Sequence, residues 1–136
     1  MGRVQSIEGF VSKFLESQHF KSLGPFSERH GAWEITFHKS PQPEEKLDRF
    51  VVLALVEMPT VPSSATSYDI EVWTGAEDGT RFVRRFIAGF RASAGEFRSE
   101  AFEKTVKEKL ERAVEVAKQI TPADLTEAYL PTRSSR

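Results

Sequence analysis

The hydrophobic positions of the chain change period twice, and those changes delimit its elements. In "VQSIEGFVSKFLESQHF" the residues Ile7, Phe10, Val11, Phe14 and Leu15 follow i, i+3, i+4, i+7, i+8. That spacing predicts one apolar stripe of a helix, with Ser6 as a possible cap and Gly24-Pro25 as the stop. "AWEITFH" alternates, with Trp33, Ile35 and Phe37 on one side and Glu34, Thr36 and His38 on the other. It predicts a half-buried strand. After the loop "KSPQPEEKLD", the segment "RFVVLALVEM" is apolar on both sides and reads as a central strand. "PTVPSSAT" is a second loop.

"SYDIEVWTGAEDGTRFVRRFIAGFRA" predicts a β-hairpin. Taking Glu77-Asp78-Gly79 as a three-residue loop, with Gly79 at positive φ, gives paired positions an even sum. Tyr68, Ile70, Val72 and Thr74 then share a face with Phe82, Phe86, Ala88 and Phe90. Asp69, Glu71 and Trp73 share the other with Arg81, Val83, Arg85, Ile87 and Arg91, and Glu71 faces Arg85. This register sorts apolar from polar residues better than the odd one, and sorting sets register. Arg84 is left as a misfit on the core side.

"SAGEFR" is a loop. A long helix follows from about Ser99 to Ile120, with Phe102, Val106, Leu110, Ala113, Val114, Ala117 and Ile120 as its stripe. Glu100–Lys104, Glu103–Lys107 and Glu108–Arg112 support it at i,i+4. Thr121, Pro122 and Asp124 predict the start of a short helix carrying Leu125, Ala128 and Tyr129. The expected fold is α+β: an N-terminal helix, a four-stranded antiparallel meander and a long C-terminal helix. It is two-layered, with both helices on one face. Residues 1–130 form one domain and 131–136 a flexible tail. Phe14, Phe86, Phe90, Phe102 and Leu110 are expected in the core.

Composition narrows the chemistry. The chain has 136 residues, enough for one domain with a real core, and no Cys, so disulfides, thiolate metal sites and a Cys nucleophile are excluded. Nineteen Lys+Arg against twenty Asp+Glu leave a net charge of -1, without the basic surplus of a general nucleic-acid binder. The longest apolar run, Phe50 to Val56, is too short to span a bilayer. The first residues carry no charged-then-apolar leader pattern, so a cytoplasmic protein is expected.

Candidate chemistry is sparse. Glu57, Asp69 and Glu71 are the carboxylates a small enzyme would use, but a nuclease-like pattern wants a Lys where Trp73 stands. His19, His30 and His38 show no metal-ligand spacing, and no cofactor or metal is expected. Ser64, His38 and Asp69 lack a nucleophile-elbow pattern. The glycines of "TGAEDGT" are spaced wrongly for a phosphate cradle. What remains is the outer hairpin face. Trp73, Val83, Arg85, Ile87, Arg81 and Glu71 mix aromatic, aliphatic and charged groups of both signs, a composition that suits a protein contact. The expected function is a non-catalytic protein–protein interaction module of adaptor, effector-binding, chaperone or immunity type, with another protein or a second copy (a homodimer) as partner and no membrane. The alternatives are an RNA- or nucleotide-binding module using the arginine face, and a small enzyme at Glu57, Asp69 and Glu71.

Overall fold

A computed structural model describes residues 5–22, 24–39, 46–58 and 66–128. Its elements are α1 (Gln5–Ser17), β1 (Lys21–Ser22), β2 (Ser27–Arg29), β3 (Ala32–Lys39), β4 (Asp48–Met58), β5 (Ser67–Glu77), β6 (Arg81–Ser93), α2 (Glu100–Gln119) and β7 (Glu127–Ala128). The four long strands β3 to β6 form the expected antiparallel meander. Three short strands extend it: β1 and β2 both pair with β3, and β7 pairs with β6. The expected tail at 131–136 lies outside the described residues.

Both helices cover one face. Ile7, Val11 and Leu15 of α1 and the Phe102-to-Ala117 stripe of α2 pack with Ile35, Phe37, Val51, Leu53, Leu55, Tyr68, Ile70 and Val72. Helix α2 begins where the sequence places it. The Ser99 hydroxyl accepts from the Phe102 N–H at 3.1 Å, satisfying one of the helix's orphan donors. At its other end Arg49 of β4 donates to the carbonyls of Ala117 (2.7 Å) and Ile120 (2.8 Å). That cation answers the partial negative charge of the helix C-terminus and fastens it to the sheet.

Helix α1 stops earlier than Gly24-Pro25. His19 turns left-handed (φ 71), its N–H bonds to the Glu16 carbonyl at 3.0 Å, and the Phe20 N–H bonds to the Leu15 carbonyl at 2.9 Å. This pair of hydrogen bonds closes the helix, and buried Phe20 shares a core cluster with buried Leu15. The short helix expected after Thr121 is also corrected. Thr121 and Asp124 cap one another, but only a 3₁₀ turn at Pro122–Asp124 forms before the chain enters β7. Leu125 is buried in a second small cluster with Leu47, Ala76, Val83 and Ile120. Tyr129 lies outside the described residues.

The register of the β5–β6 hairpin differs from expectation. Asp78 sets the turn. Its Oδ1 accepts from the Thr80 N–H (2.9 Å), the Thr80 hydroxyl (3.0 Å) and the Arg81 N–H (2.7 Å), and the Asp78 N–H bonds to the Arg81 carbonyl (3.0 Å). The loop is therefore the two residues Gly79-Thr80, with Gly79 at φ 96 as expected of that glycine. Two-residue closure forces odd sums beside the turn: Glu77 pairs with Phe82, Gly75 with Arg84, Trp73 with Phe86. Farther out, Val72 pairs with Ala88, Ile70 with Phe90 and Tyr68 with Ala92, an even register. A bulge at Ile87 joins the two. The apolar sorting argument holds beyond the bulge and fails before it, where the turn decides.

Candidate functional site on the open sheet face

The bulge exchanges residues between faces. Opposite buried Thr74 and Ala76 stand Arg85 and Val83, so both lie on the helix side. Val83 is buried in the small cluster, and Arg85 reaches Asp124 at 3.6 Å. Arg81 shares their parity and lies 3.7 Å from Asp78. Ile87 is partly buried against the main core. Of the six residues expected to form the outer surface, the structure brings only Trp73 and Glu71 together there. Phe86, expected in the core, is 53% exposed on the outer face. Phe82 faces outward with it, opposite Glu77. Phe14 and Phe90 are partly buried against the core, and Phe102 and Leu110 are buried within it.

What replaces the expected surface is compact. The Trp73 and Phe86 rings meet edge to face with centroids 5.2 Å apart. The Arg84 guanidinium, expected to be a misfit inside, lies outside and 4.7 Å over the Trp73 ring. It then reaches Glu34 of β3 at 3.5 Å. The indole N–H donates to Glu71 at 3.0 Å. Beneath this group Val52 is buried, although it points to the face without helices. Phe86 also leans over Gly89, where a Cβ would come within 3.1 Å of its ring. Val56, on the same face, is 36% exposed.

The other candidates do not converge. Asp69 is held by Arg91 at 3.1 Å, and Glu57 opposes Tyr68 on the helix-side parity, away from Asp69 and Glu71. His38 and Asp69 lie toward opposite ends of the sheet, and Ser64 lies outside the described residues. Arg81, Arg85 and Arg91 do not share one face, so the arginine surface of the RNA alternative is not assembled.

Two carboxylates have lowered pKa values. Asp78 is held at about 2, mainly by the N–H of Arg81 and then of Thr80. Asp124 is lowered chiefly by the Thr121 N–H, with the Thr121 hydroxyl and Arg85 adding to it. Both are turn-forming groups, and their shifts express capping.

Sequence reasoning missed one constellation. His38, Asp48 and Glu77 meet on the open face, each offering a donor atom within 4.8 Å of the others. The sequence pattern places Asp48 in a loop, and the three are distant in sequence; only the β3–β4–β5 register unites them. Among the described residues, no helix is long and apolar enough to cross a membrane. The chain matches no protein-family model, no curated protein and no solved structure.

Proposed function

We propose that the chain is a non-catalytic protein-interaction module whose working surface is the open sheet face, centred on Trp73, Phe86 and Arg84. The observation that carries this is Phe86, 53% exposed beside a partly buried Trp on a face that neither helix covers. An aromatic pair with an arginine stacked on it is the composition of an interface anchor, and a monomer gains little by leaving it in water. The surrounding charges, Glu34, Glu71, Asp69 and Arg91, are of both signs and suit a register-setting contact with a protein better than a polyanion. The partner is another protein or a second copy of the chain.

The test compares wild type with Trp73→Ala/Arg84→Glu by sedimentation over a range of concentrations and by retention of proteins from native lysate. The proposal expects a dimer, or a specific bound species, that the double variant weakens by about 2 kcal/mol or more in binding free energy. If mass and retained species are the same for both proteins, the face is only a self-covered sheet surface.

A further inference from the structure

A second feature of the open face lies toward the end of the sheet away from Asp69. Asp48 of β4 and Glu77 of β5 are directly opposed partners, and His38 of β3 pairs with Phe50, two residues along β4 from Asp48. The three side chains therefore converge from three adjacent, hydrogen-bonded strands. The His38 Nδ1 and an Asp48 carboxylate oxygen are 3.0 Å apart, and the donor atoms of all three lie within 4.8 Å of one another. Donors bound to one first-row ion at about 2.1 Å sit roughly 3.0–3.5 Å from each other. Small side-chain rotations close the remaining gap.

We infer that His38, Asp48 and Glu77 form a binding site for a divalent transition-metal ion, of which Zn²⁺ is the probe ion. One imidazole nitrogen with two carboxylates is a mixed donor set that suits zinc or manganese, whereas calcium and magnesium favour oxygen alone. Three protein donors leave further positions to water or to a partner's side chain.

One observation outside the donor set supports the site, a built wall. Phe50 lies beside His38, ring centroids 6.1 Å apart, and its ring occupies the space above Gly75, where a Cβ would fall 2.5 Å from it. A glycine at 75 thus lets Phe50 lie flat across β5. The apolar ring orients the imidazole and shields one side of the cluster, as the surroundings of metal ligands commonly do.

The test is calorimetric titration of the full chain with Zn²⁺, alongside NMR of the histidine side chains. One ion should bind per chain. His38→Gln and Asp48→Asn should each weaken binding at least tenfold, while His19→Gln and His30→Gln leave it unchanged. In wild type, zinc should shift the imidazole signals of His38 and not those of His19 or His30, a readout that needs no variant to fold. The absence of saturable heat at micromolar zinc, heat that survives both His38→Gln and Asp48→Asn, or shifts at His19 and His30 without His38 would each overturn the assignment.

Discussion

The two faces of the sheet are built from the same strands and have different fates. On the covered face Phe37, Val51, Leu55 and Val72 are fully buried under α1 and α2. On the open face, among the described residues, neither helix covers the intervening residues. Val52 disappears beneath Trp73 and Arg84, yet Phe86 and Val56 remain exposed. Strand β4 is apolar in both directions, so its hydrophobicity alone does not decide what becomes core. The helices decide, because their stripes supply the second layer on one side only. The open face answers with aromatic rings laid over glycines: Phe50 over Gly75 and Phe86 over Gly89. It is partly self-packed, and what it leaves exposed is the surface proposed above for a partner.

The largest expected effect lies on the covered face. Leu110 is fully buried in α2 among core side chains. Leu110→Ala should lose about 3–4 kcal/mol of stability in denaturant titration, since the cavity adds to the lost transfer energy. A loss below about 1 kcal/mol would mean the helical layer is loosely held. The next effect probes the packed part of the open face. A Cβ at Gly75 would strike the Val83 carbonyl and approach the Phe50 ring to 2.5 Å. Gly75→Ala should destabilise by roughly 2–3 kcal/mol, read as a lower unfolding midpoint. A neutral outcome would show that this face is not packed as described.

The smallest effect concerns the turn that decides which β6 residues reach which face. The folded-state pKa of Asp78 lies below its ordinary value, so its contribution is fully present above that value and lost as pH falls through the folded one. The window runs from the ordinary 3.8 down to about 2. Thermal melts should therefore show wild type losing more stability across that window than Asp78→Asn, with a constant difference above it. Parallel curves would remove Asp78 as the turn's anchor.

Much of the covered face was legible in the sequence, and the open face was not. The period of α2 and the alternation of β3 and β5 place Phe102, Leu110, Ile35 and Ile70 without reference to distant residues. The β6 face depends on two local rules that disagree. The Asp78 side chain fixes a two-residue turn, and the apolar sorting of Ile70 and Val72 against Phe90 and Ala88 demands the opposite parity. The bulge at Ile87 satisfies both, and it sends Arg84 and Phe86 outward and Arg85 and Val83 inward. No alternation pattern announces an extra residue. The strands β1, β2 and β7 have two or three residues each, too few to show a period. The convergence of His38, Asp48 and Glu77 follows from registers across three strands, which no local pattern encodes.

The claim that the open face is the working surface is tested most directly by pairing two sets of surface variants, each first checked to be folded. One set, Trp73→Ala/Arg84→Glu, alters the open face. The other, Glu103→Lys/Glu111→Lys, alters the groove beside Phe14 that both residues line on the helical layer. Quantitative capture of partner proteins, with self-association measured in parallel, should fall with the first pair and persist with the second. Capture or association that is lost with the helical pair and kept with the open-face pair would contradict the account.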